Sequence, residues 1–434
     1  LKFLFVSPEA LSLDLAYTIS QENAGEEKAP NKVKFFVQSP TEKDVGDGFV
    51  EKIDNWENLI EWADIIVFDD IGFGKIADKL RLQGKKVVGG SSYTDRLENE
   101  REFGQHELEK AGVSVLPSWN FSDFDEAIKF VQDNPGRYVI KPSGKAQNEK
   151  ELLFVGQEED GNDIINVLAH YKKNWATKIR IFQIQKYAAG VEIGVGAFFD
   201  GQDFALPINI NFEHKRLFPG EIGPSTGEMG TLMFWSNKNK IFEMTLEKMK
   251  QQLAQAHYVG YIDINCIANS SGIFPLEFTS RFGYPTISIQ MEGVTSPWGA
   301  FFYSLAAGGE KQLKLTTKHG FQVGVVVAVP PFPFNDEKTF RKFSEDATIL
   351  FKRQELMLQG VHLGEVKRDG NDWRIAGKSG YVLVITASGD TTEEARTEVY
   401  KRICNIMIPN MFYRTDIGSR WTRDSDLLLS SGYL

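Results

Sequence analysis

Residues 261–279 read YIDINCIANSSGIFPLEFT, two stretches of strand length joined at the polar turn Asn269-Ser270-Ser271. Side chains alternate along a strand, so Tyr261, Asp263 and Asn265 share one face while Ile262, Ile264 and Cys266 take the other. On the return stretch Glu277 and Thr279 lie opposite to Leu276 and Phe278. So short a turn makes Asp263 and Glu277 near cross-strand neighbours. Two adjacent carboxylates repel unless a cation lies between them, and Mg²⁺ accepts carboxylate oxygens while staying bound to substrate phosphates. A solvated polar face of a hairpin fits the same pattern.

Upstream, 213–231 reads EHKRLFPGEIGPSTGEMGT, with His214, Lys215 and Arg216 ahead of Gly220, Gly223, Gly227 and Gly230. Glycine at this density frees backbone N–H groups and permits positive φ, which suits anion binding. A flexible loop is the other reading, because the spacing of a Walker loop or a GxGxxG fingerprint is missing. Further upstream, Lys141 ends the apolar run YVIK before Pro-Ser-Gly, where it can reach into a cleft as a point charge for phosphate. Glu192, Gly194 and Gly196 alternate on one strand face. The glycines strip that face of bulk, as happens where a ligand or another backbone comes close.

The 434 residues suffice for about three domains. Strand-length runs at 2–6, 33–38, 64–70 and 85–90 alternate with the helical stretches NLIEWA and KIADKLRLQG, implying an α/β domain with a parallel sheet over 1–95. A polar loop is expected at 21–31. Next come a helix over 94–111 capped by Thr94 or Asp95, a strand VSVLPSW, and a short helix opened by Ser122. Two antiparallel strands over 180–199 turn near Ala188–Gly190, and a helix over 238–257 buries Phe242, Leu246, Met249, Leu253 and Ala256. From 320 onward the chain reads as α+β: QVGVVVAVP, a GEVKRDGNDW hairpin, YVLVITASG and the amphipathic helix TEEARTEVYKRICNIM. The last boundary is placed at Thr316–Gly320.

Charged residues make up 25% and the formal net charge is -10, so there is no global basic footprint for nucleic acid. No apolar run is long enough to span a bilayer. Glu9 and Asp14 interrupt the first apolar stretch, which therefore reads as a strand and not a signal peptide. Cys266 and Cys404 are expected to be buried thiols, and a reducing cytoplasm is the simplest setting. There is no nucleophile elbow, HExxH or CxxC. His362, in GVHLGE, reads as a packed core histidine.

Taken in order, EHKR followed by GPSTGEMGT, then PLEFTSRFGYP, FYRTDIGSR, the last-domain run YVLVITASGDTTEEARTEVY and the helix DRLENEREFGQHELEKAGV resemble the phosphoribosylamine–glycine ligase family of the ATP-grasp superfamily. The resemblance covers nearly the whole chain. It implies an α/β N-terminal domain (1–95), an ATP-grasp domain (96–318, with a lid subdomain about 118–188) and a small α+β C-terminal domain (319–434). It further implies ATP with Mg²⁺ or Mn²⁺, and small carboxylate and amine substrates joined through an acyl phosphate. A cytoplasmic monomer or homodimer is expected, with no nucleic-acid or membrane partner.

Residue by residue, the resemblance implies that Lys141 and Lys215 hold the phosphates, Gln185, Lys186, Tyr187 and Ala188 line the adenine pocket, and Glu192 binds ribose. Glu277 and Thr279 fall at metal-ligand positions, and Asp263 is added from cross-strand geometry. Lys215 and Arg281 supply charge to the reaction. His214, Gly223, Ser225, Thr226, Gly227, Met229, Gly230, Arg281, Arg414 and Asp416 face the substrates. Departures from the family pattern cluster where ligands would sit. SPEALSLDLA replaces a glycine-rich N-terminal turn, and GKAQNEK replaces a glycine-rich lid loop. Tyr284 stands for Asp, Glu228 for Gly and Thr279 for Asn; Gln185 and Lys186 replace two glutamates. A ligase of another acid or amine, or an inactive ATP-binding scaffold, are the competing readings.

Overall fold

The computed structural model describes all residues except 23–28, 144–151, 176, 178–179 and 309–314. The expected loop at 21–31 lies largely, and the GKAQNEK segment entirely, outside the described residues.

Four parallel strands open the chain, ordered Lys32–Val37, Lys2–Ser7, Ile65–Phe68, Val87–Val88. Residues 3–7, Ile65–Phe68 and Val87–Val88 are buried on both faces, which is why they read as continuous apolar runs, whereas the edge strand Lys32–Val37 buries only Val33, Phe35 and Val37. Helices Leu13–Gln21 and Gly74–Leu82 connect them, whereas NLIEWA forms only a 3₁₀ turn at Glu57–Leu59.

The centre is an eight-stranded antiparallel sheet, ordered Gly272–Thr279, Val259–Asn269, Val191–Asp200, Phe204–Glu213, Gly230–Ser236, Phe321–Ala328, Tyr381–Gly389 and Val361–Leu363. The pairing of Gly230–Ser236 with Phe321–Ala328 carries it across 316–320. One face is apolar, with Ile193, Val195, Ile210, Ile262 and Ile264 in the largest core. A smaller four-stranded sheet, Ser118–Phe121, Phe182–Lys186, Tyr138–Pro142 and Phe154–Val155, packs helices Phe124–Asp133 and Asn162–Trp175. The hairpin Val366–Asp369 to Asp372–Ile375 and the helix Thr392–Ile403 form as expected. Among the described residues no helix is long and apolar enough to cross a membrane.

Several local expectations are corrected. The helix over 94–111 is two, Ser92–Asn99 and Arg101–Lys110, broken at Glu100. Its cap is Ser91, in a capping box with Thr94, while Asp95 accepts from the Gly74 N–H at 2.8 Å. The strand after it begins only at Ser118. Phe182–Lys186 and Val191–Asp200 are not partners: they lie in different sheets, so the turn at Ala188–Gly190 is a connection between layers. The 238–257 helix is divided into Lys240–Met244, a 3₁₀ turn Leu246–Met249 and Lys250–Gln255. Phe242, Leu246, Met249 and Leu253 are all buried, so the apolar stripe survives the breaks. Cys266 is buried but Cys404 is exposed.

Candidate active site

A cleft of about 630 Å³ opens between the small sheet and the hairpin side of the central sheet. Alternation in the small sheet decides what faces it. Tyr138, Ile140, Phe182 and Ile184 enter the core beneath the helices, so Val139, Lys141 and Gln185 face the cleft. Lys141 is 6% exposed. Burial, with the Arg101 and Lys215 cations nearby, pulls its ammonium down to about 7, against the attraction of Glu277 and Glu192. Gln185 is buried and its Nε2 donor has no hydrogen-bond partner. Lys186, Tyr187 and Ala188 continue the cleft wall. The Arg137 guanidinium lies 3.6 Å from the centre of the Tyr187 ring and fixes its plane.

Lys215 follows the strand Phe204–Glu213. Its Nζ lies 2.8 Å from Glu192, 3.5 Å from Glu213 and 3.6 Å from Glu277. Burial disfavours its charge, yet these three carboxylates hold the ammonium well above the usual lysine range. Lys141 and Lys215 therefore line one cleft and feel the same carboxylates.

The hairpin register differs from the expected one. Its tight turn pairs Asn269 with Gly272, and a bulge at Asn265/Cys266 then shifts the count by one. Glu277 stands opposite Asn265, and Asp263 opposite Thr279. Asp263 is drawn inward: it is 3% exposed and its Oδ2 accepts from Asn211 Nδ2 (3.1 Å) and the Tyr261 hydroxyl (3.2 Å). Burial, then the nearby Glu213, push its carboxyl well above the carboxylate range. Hard oxygen donors line the cleft: Glu277, Thr279, Asp263, Glu213 and Asn265, whose buried Oδ1 has no partner. That donor set fits a divalent cation such as Mg²⁺. Gly194 and Gly196 do not open the face to a ligand. A Cβ on Gly196 would stand 1.9 Å from the Tyr261 hydroxyl, and one on Gly194 3.1 Å from Asn265 Oδ1. Neighbouring strands' side chains fill that space.

The 213–231 segment divides. Ser225 and Gly227 reach the cleft. Thr226 instead donates its N–H (2.9 Å) and hydroxyl (3.1 Å) to the Lys215 carbonyl, holding the lysine's backbone. Met229 and Gly230 are buried, and a Cβ on Gly230 would stand 2.4 Å from the Gly324 carbonyl oxygen. Gly223, at φ 86°, sits at the register shift of the small hairpin Arg216–Phe218 to Ile222–Ser225, whose turn is 219–221. His214 is 1% exposed: Gly418 N–H donates to its Nε2 at 3.0 Å, so Nδ1 carries the proton toward Glu221 at 2.7 Å. Arg414, fully buried, reaches Glu221 (2.8 Å), Asp416 (2.7 Å) and the Arg216 carbonyl (2.9 Å). His214, Glu221 and Asp416 come near enough to ligate a metal, but the guanidinium already supplies the cation there. Gly223, Thr226, Met229, Gly230, His214, Arg414 and Asp416 thus stay outside the cleft lining and brace it from behind.

Arg281 lines the cleft with its Nε 3.2 Å from both Asp70 and Glu98. Sequence reading missed Arg101, whose guanidinium is 3.6 Å from Glu277, as well as Glu213, Asn265, Arg420 and Arg423. Alternation from Asn209 to Glu213 was the available sign for Glu213. Arg101 carried none, since it starts a helix at an unforeseen break.

With this geometry in place, residues 99–287 match the ATP-grasp (A) domain of phosphoribosylglycinamide synthetase, and 322–420 match its C domain. The chain belongs to this family. Two curated relatives are phosphoribosylamine–glycine ligases. That of Streptococcus pneumoniae is 26% identical over 373 residues, 84% of this chain and 85% of the relative. That of Listeria monocytogenes is 25% identical over 360 residues, 80% of this chain and 81% of the relative. The crystal structure of the Thermotoga maritima phosphoribosylamine–glycine ligase superposes with a TM-score of 0.70 at 20% identity, covering 96% of this chain and all of that one, which shows a shared fold. The expected family, fold class and ligase chemistry are borne out together.

Proposed function

We propose that this synthetase-family member is an ATP-dependent carboxylate–amine ligase working through an acyl phosphate, with glycine the first carboxylate to test because the curated relatives are glycine ligases. A carboxylate oxygen attacks the γ-phosphorus, the bond to the β-phosphate oxygen breaks, and ADP departs. The amine nitrogen then attacks the acyl carbon, forming C–N as C–O breaks and phosphate leaves. The entering ammonium gives up two protons in all; the phosphate takes one and solvent the other.

The observation that carries this reading is the convergence of Lys141, Lys215 and Arg101 on one cleft beside Glu277, because phosphoryl transfer needs fixed cations more than a nucleophilic side chain. Lys141 and Lys215 hold phosphate oxygens. Gln185 offers its unpartnered amide donor to the adenine edge, and Glu192 accepts from ribose hydroxyls. Glu277, Thr279 and Asp263, with Asn265 and Glu213, would hold Mg²⁺ or Mn²⁺, which supplies charge neutralisation to the phosphates when bound. Arg281, Ser225 and Gly227 face the substrates. Carboxylate-dependent release of ADP tests the reading. Nucleotide binding without turnover on any acid and amine would leave only a scaffold.

A further inference from the structure

Resting on the ligase reading, the N-terminal sheet constrains the amine. Chain order reverses between Lys2–Ser7 and Ile65–Phe68. In an open parallel sheet, ligands bind beyond the carboxyl ends of the strands at such a point, and an anion is held there by the N–H groups opening the next helix. Here the chain fills that position with its own carboxylate. Asp69, 1% exposed, accepts from the Ser12 N–H at 3.2 Å and the Ser12 hydroxyl at 2.6 Å, and Ser12 caps helix Leu13–Gln21. The turn at 8–11, Pro-Glu-Ala-Leu, contains no glycine to wrap backbone around a phosphate.

The surroundings are anionic as well. Glu98, Arg281 and Tyr284 line the cleft, and the Tyr284 hydroxyl donates to the Asp69 carbonyl at 3.2 Å, joining the crevice to the cleft. Arg281 is already shared by Asp70 and Glu98, each at 3.2 Å. Behind them the buried Asp69 carboxyl lies beside the buried Ser7 hydroxyl. A phosphate monoester would meet Asp70 and Glu98 sharing the single Arg281 guanidinium, with the buried Asp69, whose carboxyl burial pushes up to about 7, behind them, an arrangement short of cations that disfavours it.

We infer that the acceptor is an unphosphorylated amine that enters as a cation, drawn by the excess of carboxylate over guanidinium where Asp70 and Glu98 share Arg281, of which Glu98 and Arg281 line the cleft. In this the chain parts from its curated relatives, whose names carry phosphoribosylamine.

The test titrates the full-length protein, loaded with Mg²⁺–ADP, with 1,3-diaminopropane, O-phosphoethanolamine, ribose 5-phosphate and ribose in a calorimeter. Diaminopropane is expected to bind at least about tenfold tighter than O-phosphoethanolamine, or 1.4 kcal/mol. Ribose 5-phosphate is expected to bind no tighter than ribose. Asp70→Asn should erase most of the diaminopropane preference. Binding of either phosphorylated probe as tightly as its unphosphorylated counterpart overturns the inference, and so does an absence of diaminopropane binding. ADP affinity, measured on the same samples, reports the ligase reading separately.

Discussion

At the scale of single residues, the cleft combines one lysine whose charge burial opposes with another whose charge is secured. Lys141 loses its proton near pH 7, whereas Lys215 keeps its own among Glu192, Glu213 and Glu277. Triphosphate oxygens beside Lys141 would restore its proton, so nucleotide binding above pH 7 should take up a proton and weaken as pH rises. Calorimetry in buffers of different ionisation enthalpy reads that uptake, and Lys141→Arg should abolish it. An unfolded lysine titrates near 10.4, so between about 7 and 10 the unfolded chain binds the extra proton and stability rises with pH. Lys141→Ala and Glu277→Ala should each lower turnover by about tenfold to a hundredfold, read as ADP release. Lys141 and Glu277 were legible because they break apolar runs in a strand period. Asp263 was legible for the same reason, but its burial was not, since a charge in a strand signals a face and not whether water reaches it.

At the scale of elements, one bulged hairpin sets the carboxylate edge, and two glycines make room beneath it. Gly196→Ala would press a methyl against the Tyr261 hydroxyl and should cost about 1–3 kcal/mol, read as a lowered unfolding midpoint. Arg414→Met would leave Glu221 and Asp416 without their cation. Glu221 and Asp416 are both held down to about 2, burial notwithstanding: His214 and Arg414 hydrogen-bond Glu221, and Arg414 hydrogen-bonds Asp416. Breaking such a pair should cost about 3 kcal/mol at neutral pH, and denaturant titration checks it. The hairpin could be read from alternation, but its register could not, because a one-residue bulge leaves no trace in a run such as INCIA. The strands over 180–199 failed for a related reason. Adjacency in sequence favours pairing, yet Phe182–Lys186 finds its partners within the small sheet.

At the scale of the whole molecule, the fold brings cations from the small sheet, the central sheet and the helix Arg101–Lys110 to one cavity, and Tyr284 in its lining ties it to the N-terminal sheet through the Asp69 carbonyl. The N- and C-terminal regions are clasped by His362, which bonds Asp14 at 2.8 Å and Thr386 at 2.9 Å. Its packed role was readable from an apolar neighbourhood, but its partner 348 residues away was not. ADP at a hundredfold excess over its Kd should stabilise the protein by about 2.7 kcal/mol, seen as a higher unfolding midpoint. The central claim is that these cations hold ATP while a carboxylate takes its γ-phosphoryl group, and positional isotope exchange in ATP labelled at the β,γ-bridging oxygen reads that step. Glycine should cause scrambling of the label in the wild-type protein and at least about tenfold slower scrambling in Lys141→Ala; label that stays in place with glycine and every other amino acid, while ATP is bound, would contradict it.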